Sequence, residues 1–459
     1  MSKILLCFSS HLYIEDEFKL TSYYEGLISD LNKHSNEVLV CNTAEFLCRP
    51  WNGNNVESKI IDVVRLKQRI KSFDPELIIS FNNSKLSFLE SEFDCPIIIW
   101  QADSFEYYND KDRLIKDPNR YLYFGLSEDD TPNLVNIGVN RKNIFCIKSG
   151  TSVIAEKIPK ITNISFIGSN FIGTSKLYET LVTNGSRKAR EAIKFLSENF
   201  YIEPRGYLKG IGLERISNIL NTQDIASISS CQNRITTLNL MTEFGLDLYG
   251  TDSWIRTAAY YPGLALSYIQ EQKYSLKHNQ DIYNSSRLCL NVSHSQAVNA
   301  FPWRVMDIMA SNGCLLSNYN KGLKCFLKKY VDIPMYKSCG EAHTLARKLL
   351  KDKIYRNELI LSCQRCINEN GRWKHRFAEI EQYTNIKLLN SENTEQKDEI
   401  YLTRDDFLSP YYSFYIKMII GTARITPRSM HAIMYKIALS MGISIDYKTI
   451  KKVMEKQSV

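Results

Sequence analysis

The stretch Leu288-Cys-Leu-Asn-Val-Ser-His-Ser-Gln-Ala-Val-Asn-Ala-Phe-Pro-Trp-Arg-Val-Met-Asp-Ile-Met-Ala-Ser-Asn-Gly-Cys-Leu-Leu-Ser-Asn318 reads as a short apolar strand, a polar loop, a helix opened by Pro302, a glycine and a second apolar strand. A polar loop that leads from a buried strand into a helix is where α/β proteins hold phosphates. The first turn of the helix presents N–H groups and the positive end of the dipole. Arg304 and Asp307 stand about one helical turn apart, so both side chains can face one ligand. A guanidinium suits phosphate oxygens and a carboxylate suits hydroxyls.

The same rhythm extends in both directions. Upstream, Ile4–Phe8, Glu37–Cys41, Leu77–Phe81, Cys95–Trp100, Tyr121–Leu126 and Asn143–Ile147 are short apolar runs, and Ser22–Lys33 and Val63–Phe73 carry apolar residues at helical spacing. Short apolar strands alternating with helices predict parallel sheets in an α/β fold. Lys148–Lys160 reads as a linker, after which Ile164–Gly168 restarts the pattern. Leu246–Gly250, Leu288–Val292 and Cys314–Ser317 add strands, and Lys176–Leu240, Glu341–Lys351 and Ile354–Glu369 read as mostly helical. Ser391–Glu399 is polar and aperiodic, a second linker, and the tail beyond it has helix-like runs over Tyr411–Ile420 and Ser429–Met441. The expected division is 1–155, 156–388 and a linker with helical tail over 389–459.

Composition narrows the class. With 459 residues, 44% hydrophobic and 24% charged, the chain suits two or three globular domains. No run reaches about 18 uninterrupted apolar residues, so no transmembrane helix is expected, and the short apolar N-terminus reads as a first strand, not a signal peptide. Twelve cysteines are spread thinly. Cys7, Cys41, Cys146, Cys289 and Cys314 sit in apolar runs and are expected as buried thiols in a reducing cytosol. Cys363 and Cys366 have CxxC spacing but no second pair, which makes a weak zinc signal. The net charge of +8 is concentrated in the tail, where residues 401–459 hold nine Lys and Arg against four Asp and Glu. Such a basic, aromatic-rich tail is suited to an anionic membrane surface or a phosphorylated acceptor, or is simply a solvated face. Nucleic acid is disfavoured as a partner because no binding motif or dense basic stripe is present.

Four pieces in order carry a resemblance: Ile164–Ser169, Phe244–Gly250, Ile282–Val292 and Arg304–Gly313. Together, over roughly residues 160–385, they resemble the C-terminal half of group 1-type glycosyltransferases of the GT-B superfamily, most like the CgeB-like branch. The resemblance implies two Rossmann-like domains facing a cleft. A nucleotide-sugar donor would sit on the second and a glycan or lipid-linked acceptor on the first, with no metal ion or other cofactor. It also implies a cytoplasmic enzyme, possible at the inner face of a membrane. Abundant Lys, Ile and Asn suggest an AT-rich bacterial genome, with surface polysaccharide synthesis as a setting. Group 1 enzymes carry two glutamates in the donor site with seven residues between them. The matching positions are Asn299 and Asp307: the second keeps a carboxylate on a shorter arm and the first carries an uncharged amide.

Within this frame Arg304 is the candidate for the donor diphosphate, whose charge grows as the glycosyl bond breaks. Asp307 is the candidate for donor hydroxyls. Gly168 and Ser169, just after a strand, and Gly250, at the end of another, let backbone approach the donor. His294 and Asn299 belong to the loop ahead of the helix. On the acceptor side Asp103 follows an apolar strand, at the edge where open α/β sheets bind ligands, and is the candidate base for an acceptor hydroxyl. His11, past the first strand, is the second candidate base. Two other functions fit the same fold: a non-catalytic glycan- or nucleotide-binding protein, to which the uncharged Asn299 lends support, and an epimerase acting on the nucleotide sugar without acceptor.

Overall fold

The computed structural model describes residues 1–443 except 11, 15–16, 49–55, 104–107, 109–110, 115–118, 173–185, 203, 214–221, 272, 297–298, 392–399 and 426–429. His11 and most of the second linker therefore lie outside the described residues.

Fourteen strands are described. In chain order they are β1 (Lys3–Phe8), a short antiparallel hairpin of β2 (Tyr13–Ile14) and β3 (Glu17–Phe18), β4 (Glu37–Asn42), β5 (Leu77–Phe81), β6 (Ile97–Trp100), β7 (Tyr121–Gly125) and β8 (Ile144–Cys146). There follow β9 (Thr162–Ile167), β10 (Leu246–Tyr249), β11 (Ser286–Asn291), β12 (Cys314–Asn318), β13 (Met335–Tyr336) and β14 (Ile400–Leu402). The first large sheet has the order β14-β4-β1-β5-β6-β7-β8 and the second β10-β9-β11-β12-β13. Every pairing in both is parallel. The architecture is α/β with two Rossmann-like parallel sheets, as the alternation of strands and helices in the sequence leads one to expect.

Side chains alternate along each strand, so the continuous apolar runs fill two layers at once. In the first sheet Leu5, Cys7, Leu39, Ile78 and Ile97 face one layer, while Ile4, Leu6, Val38, Ile79 and Ile98 face the other. The second layer is closed by Trp373, Phe377, Ile380 and Leu388. These come from helix Trp373–Thr384 and the chain after it, residues that follow the second sheet and return to the first. Strand β14 returns too and pairs with β4 through Ile400–Leu39, Tyr401–Val40 and Leu402–Cys41. The tail thus contributes a strand as well as helices. Cys7, Cys41, Cys289 and Cys314 are buried, whereas Cys146 is exposed. It ends β8, the edge strand of the sheet, which among the described residues pairs on one side only, with β7.

The two crossings between the halves lie side by side. Thr151 pairs with Arg372, and its N–H donates to the carbonyl of Gly371 at 3.1 Å. Gly150 is required there: a Cβ would come within 2.6 Å of the Trp373 ring. The first linker is also stapled to the second half, since Lys160 donates to the carbonyls of Asn284, Ser286 and Asn312 at 2.7, 2.8 and 2.6 Å.

Candidate donor and acceptor site

Between the carboxyl ends of the two sheets lies a cleft of about 300 Å³, lined from the second half by Phe171, Arg234, His294, Gln296 and Arg304 and from the first by Asp103. Carboxyl ends of parallel strands are where the backbone must leave the sheet, so loops with free polar groups collect there.

Arg304 opens helix Arg304–Ala310, two residues after Pro302. Its side chain runs back toward the helix N-terminus, as long side chains on helices do, and Nη1 donates to the carbonyl of Ile167 at 3.0 Å. Gly168 permits this approach, because a Cβ there would stand 2.9 Å from Nη1 of Arg304. Gly250 has φ +148°, and a Cβ on it would meet the Gly168 carbonyl oxygen at 2.2 Å. The two glycines therefore allow two strand ends and one guanidinium to converge. That carbonyl also accepts from Nε1 of Trp254 at 2.8 Å, while the Ser169 carbonyl accepts from a second guanidinium.

That second guanidinium belongs to Arg234, 2% exposed on helix Thr222–Met241. It donates from Nη1 to Ser169 at 2.7 Å and from Nε to the Val292 carbonyl at 3.2 Å. Its plane lies 4.1 Å from the ring centroid of Phe171, a residue in the left-handed region at φ +62°. Burial lowers the pKa of both arginines, and the charge of Arg304 adds to the effect on Arg234. Guanidiniums nevertheless stay protonated. Their hydrogen bonds go to backbone carbonyls; among the described residues none goes to a carboxylate. Arg234 is buried and Arg304 half-buried, and Asp307, which acts on Arg304 from behind, is itself pushed toward its neutral form. Like charges so weakly offset are costly, and an anion in the cleft relieves that cost.

Sequence reading did not single out Arg234. A signal was present: Cys231, Arg234, Ile235 and Leu238 share one helical face, and all four are buried. An arginine within an apolar stripe marks either a buried ion pair or a ligand.

His294 sits edge-on to Phe171 with centroids 4.6 Å apart. Burial first, and then the charge of Arg234, push its imidazole down to about 3, so it is neutral near pH 7. Nδ1 accepts the Gln296 N–H at 3.2 Å, which assigns the proton to Nε2 and makes that atom a donor.

Across the cleft Asp103 is held on both oxygens. Oδ2 accepts from Nδ2 of Asn82 at 2.9 Å, and Oδ1 accepts from Nε2 of Gln296 at 3.0 Å. Asn82 follows β5 at φ +51°, a conformation asparagine tolerates better than most residues. Its Oδ1 accepts the N–H groups of Ala102 and Asp103 at 2.8 and 3.0 Å. Asn299 also reaches the first half, donating from Nδ2 to Asp129 at 2.8 Å.

Asp307 and Arg304 separate, although one helix carries both. Asp307 is 9% exposed, does not line the cleft, and accepts from the Thr151 hydroxyl at 2.5 Å in the seam between the crossings. Its short arm cannot follow Arg304 toward the helix N-terminus. Burial pushes its carboxyl up to about 7, against the pull of Thr151, Arg372 and Arg304.

Comparison with curated proteins gives no match. Among solved structures the chain is similar to WaaG, a glycosyltransferase involved in lipopolysaccharide biosynthesis, at 9% identity and TM-score 0.46, over 83% of this chain and 100% of that one. It is also similar to Anabaena Alr3699/HepE in complex with UDP-glucose, at 11% and 0.45, over 84% and 100%. T4 phage BGT in complex with UDP-glucose is similar at 11% and 0.43, again over 84% and 100%. Residues 235–382, which span the Arg304 helix and the strands on either side of it, match the family model described as Glycosyl transferase-like.

Proposed function

We propose that the protein is a GT-B glycosyltransferase that moves a sugar from a nucleoside-diphosphate sugar to a hydroxyl of a glycan or lipid-linked glycan. The observation that carries this reading is the pair of buried Arg234 and half-buried Arg304 in the cleft wall, with no carboxylate among their described hydrogen-bond partners. In this scheme the acceptor oxygen bonds to the sugar C1 as the C1–O bond to the diphosphate breaks. Asp103 takes the hydroxyl proton, and the nucleoside diphosphate leaves with the bonding pair. The arginines offset its growing charge, and His294 Nε2 donates to a phosphate oxygen. Gly168, Ser169 and Gly250 shape the floor of the donor side. Asn299, outside the cleft lining, ties the loop ahead of the helix to Asp129, and Asp307 supports the donor side from behind, one turn along the helix from Arg304. The uncharged Asn299 fits the CgeB-like branch, and bacterial surface polysaccharide is the proposed product class.

Incubation of purified protein with a panel of UDP-, GDP- and dTDP-sugars, with and without glycan acceptors, tests the reading. Released nucleoside diphosphate and transferred sugar are the readouts. Arg304→Ala and Arg234→Ala should each lower turnover about a hundredfold or more, the usual scale for losing a group that stabilises transition-state charge. Full activity in both would sink the site. Nucleotide binding by calorimetry without turnover on any donor would favour a non-catalytic binding protein.

A further inference from the structure

The candidate base is held from both sides of the cleft, and the two holds differ in kind. Asn82 belongs to the same half as Asp103 and fixes Oδ2 whatever the second half does. Oδ1 takes its described hydrogen bond from Gln296, in the other half. Gln296 in turn lies within the loop between β11 and helix Arg304–Ala310, whose first half is tied down by its own backbone N–H groups. Ser293 N–H donates to Asn318 Oδ1 at 2.8 Å, Ser295 N–H to the Ser230 hydroxyl at 2.8 Å, and Gln296 N–H to His294 Nδ1 at 3.2 Å. The loop that aims His294 into the donor side therefore also delivers an amide to Asp103.

We infer that Gln296 is a positioning residue for Asp103, which aligns the carboxylate for the acceptor hydroxyl only when the donor half is closed over it. The inference rests on the reading of Asp103 as the base. A carboxylate held on one oxygen swings about its Cβ–Cγ bond; held on both, it presents a fixed face. A carboxylate oxygen accepts about two hydrogen bonds, so Oδ1 keeps room for the acceptor hydroxyl beside the Gln296 amide. Proton removal is then coupled to domain closure, and an open cleft with donor on one side lacks an aligned base. The second bridge of the same loop, Asn299 to Asp129, closes the cleft without touching Asp103.

Kinetics on the full-length protein separate alignment from closure, using the nucleotide sugar of the panel that is turned over fastest. Gln296→Met, which keeps size and removes the donor, and Gln296→Ala should each lower kcat about tenfold or more. Donor KM and the Kd for the nucleoside diphosphate should stay within about twofold, which also reports an intact fold. Residues acting as one unit are not additive, so Asp103→Asn with Gln296→Met should be no slower than Asp103→Asn alone. Asp129→Ala, by contrast, should multiply with Asp103→Asn. Multiplicative loss for Gln296 and Asp103, a loss confined to nucleotide binding, or non-additivity shared by Asp129 would overturn the positioning role. Unchanged kcat in Asp103→Asn alone would instead remove the base assignment itself, whatever Gln296 does.

Discussion

Asp307 is buried and His294 half-buried, and removal from water shifts their pKa values in opposite directions. The Asp307 carboxyl is raised to about 7, so between the ordinary carboxylate range and pH 7 the folded chain holds a proton that the unfolded chain has lost. Its contribution to stability is thus present below about pH 4 and is lost as pH rises through 7. Melting curves of the protein and of Asp307→Asn from pH 5 to 8 should show it: the parent's Tm falls by several degrees relative to the variant's. Parallel curves would mean that the carboxylate is well compensated by Arg372, Arg304 and Thr151. His294, pushed from the ordinary imidazole range down to about 3, works in the opposite sense up to about pH 6.5, where the unfolded imidazole binds a proton that the folded one does not. Parent and Asp307→Asn share this contribution, so it cancels in their comparison. At this scale the sequence was only partly legible. The spacing of Arg304 and Asp307 gave their shared helix. It did not give the divergence of a long arm that reaches back to the strand ends from a short one that stays against Thr151. Arg234 escaped because no motif surrounds it; its place in the cleft wall follows from contacts with Phe171, Ser169 and Val292, which are distant in sequence and assembled only by the fold.

Elements were far more legible. β1, β4, β5 and β12 stand where apolar runs placed them, and helix Val63–Phe73 has the expected ends. Burial on both faces writes a strand into the sequence almost without context. Helix Trp373–Thr384 and β14 were not legible for the converse reason. Ile400–Leu402 has only three residues, and its partner β4 lies at the other end of the chain. The tail helices carry a different pattern. Helix His431–Ser440 turns Ala438 and Leu439 inward, while Ile433 and Ile437 are 52% exposed and Lys436 lies between them on the exposed side. Phe414 and Lys417 are exposed on helix Tyr412–Ile425. On each helix an exposed apolar residue stands one turn from an exposed lysine, a combination suited to an anionic bilayer, and we propose peripheral contact there. The protein should sediment with vesicles containing phosphatidylglycerol, and Ile433→Asp with Ile437→Asp should lower the bound fraction at unchanged activity on soluble donor. Equal binding of parent and variant would place the contact elsewhere. Among the described residues no helix is long and apolar enough to cross a membrane.

At the scale of the molecule, the two sheets are joined by crossings that touch, at Thr151 and Arg372, and the return crossing does more than connect. Trp373, Phe377, Ile380 and Leu388 share with Tyr23, Leu27, Ile28 and Leu31 of helix Ser22–Lys33 the covering of one layer of the first sheet, over Phe8 and Trp100, and β14 covers the flank of β4. Reading apolar runs in order suggests a first domain that ends near residue 155; in space its core is completed by chain some two hundred residues further on. Manufacture of the protein is constrained accordingly. Residues 1–155 produced alone leave a wide aromatic surface in water and should precipitate. The same fragment made together with residues 156–459 should be recovered in solution as a pair, held without a peptide bond at the junction. Solubility of the lone fragment by centrifugation, and co-purification of the two, decide the matter. During synthesis the ribosome faces the same ordering: the first half emerges early, waits with part of its cover missing, and becomes a finished body only when residues 373–402 arrive.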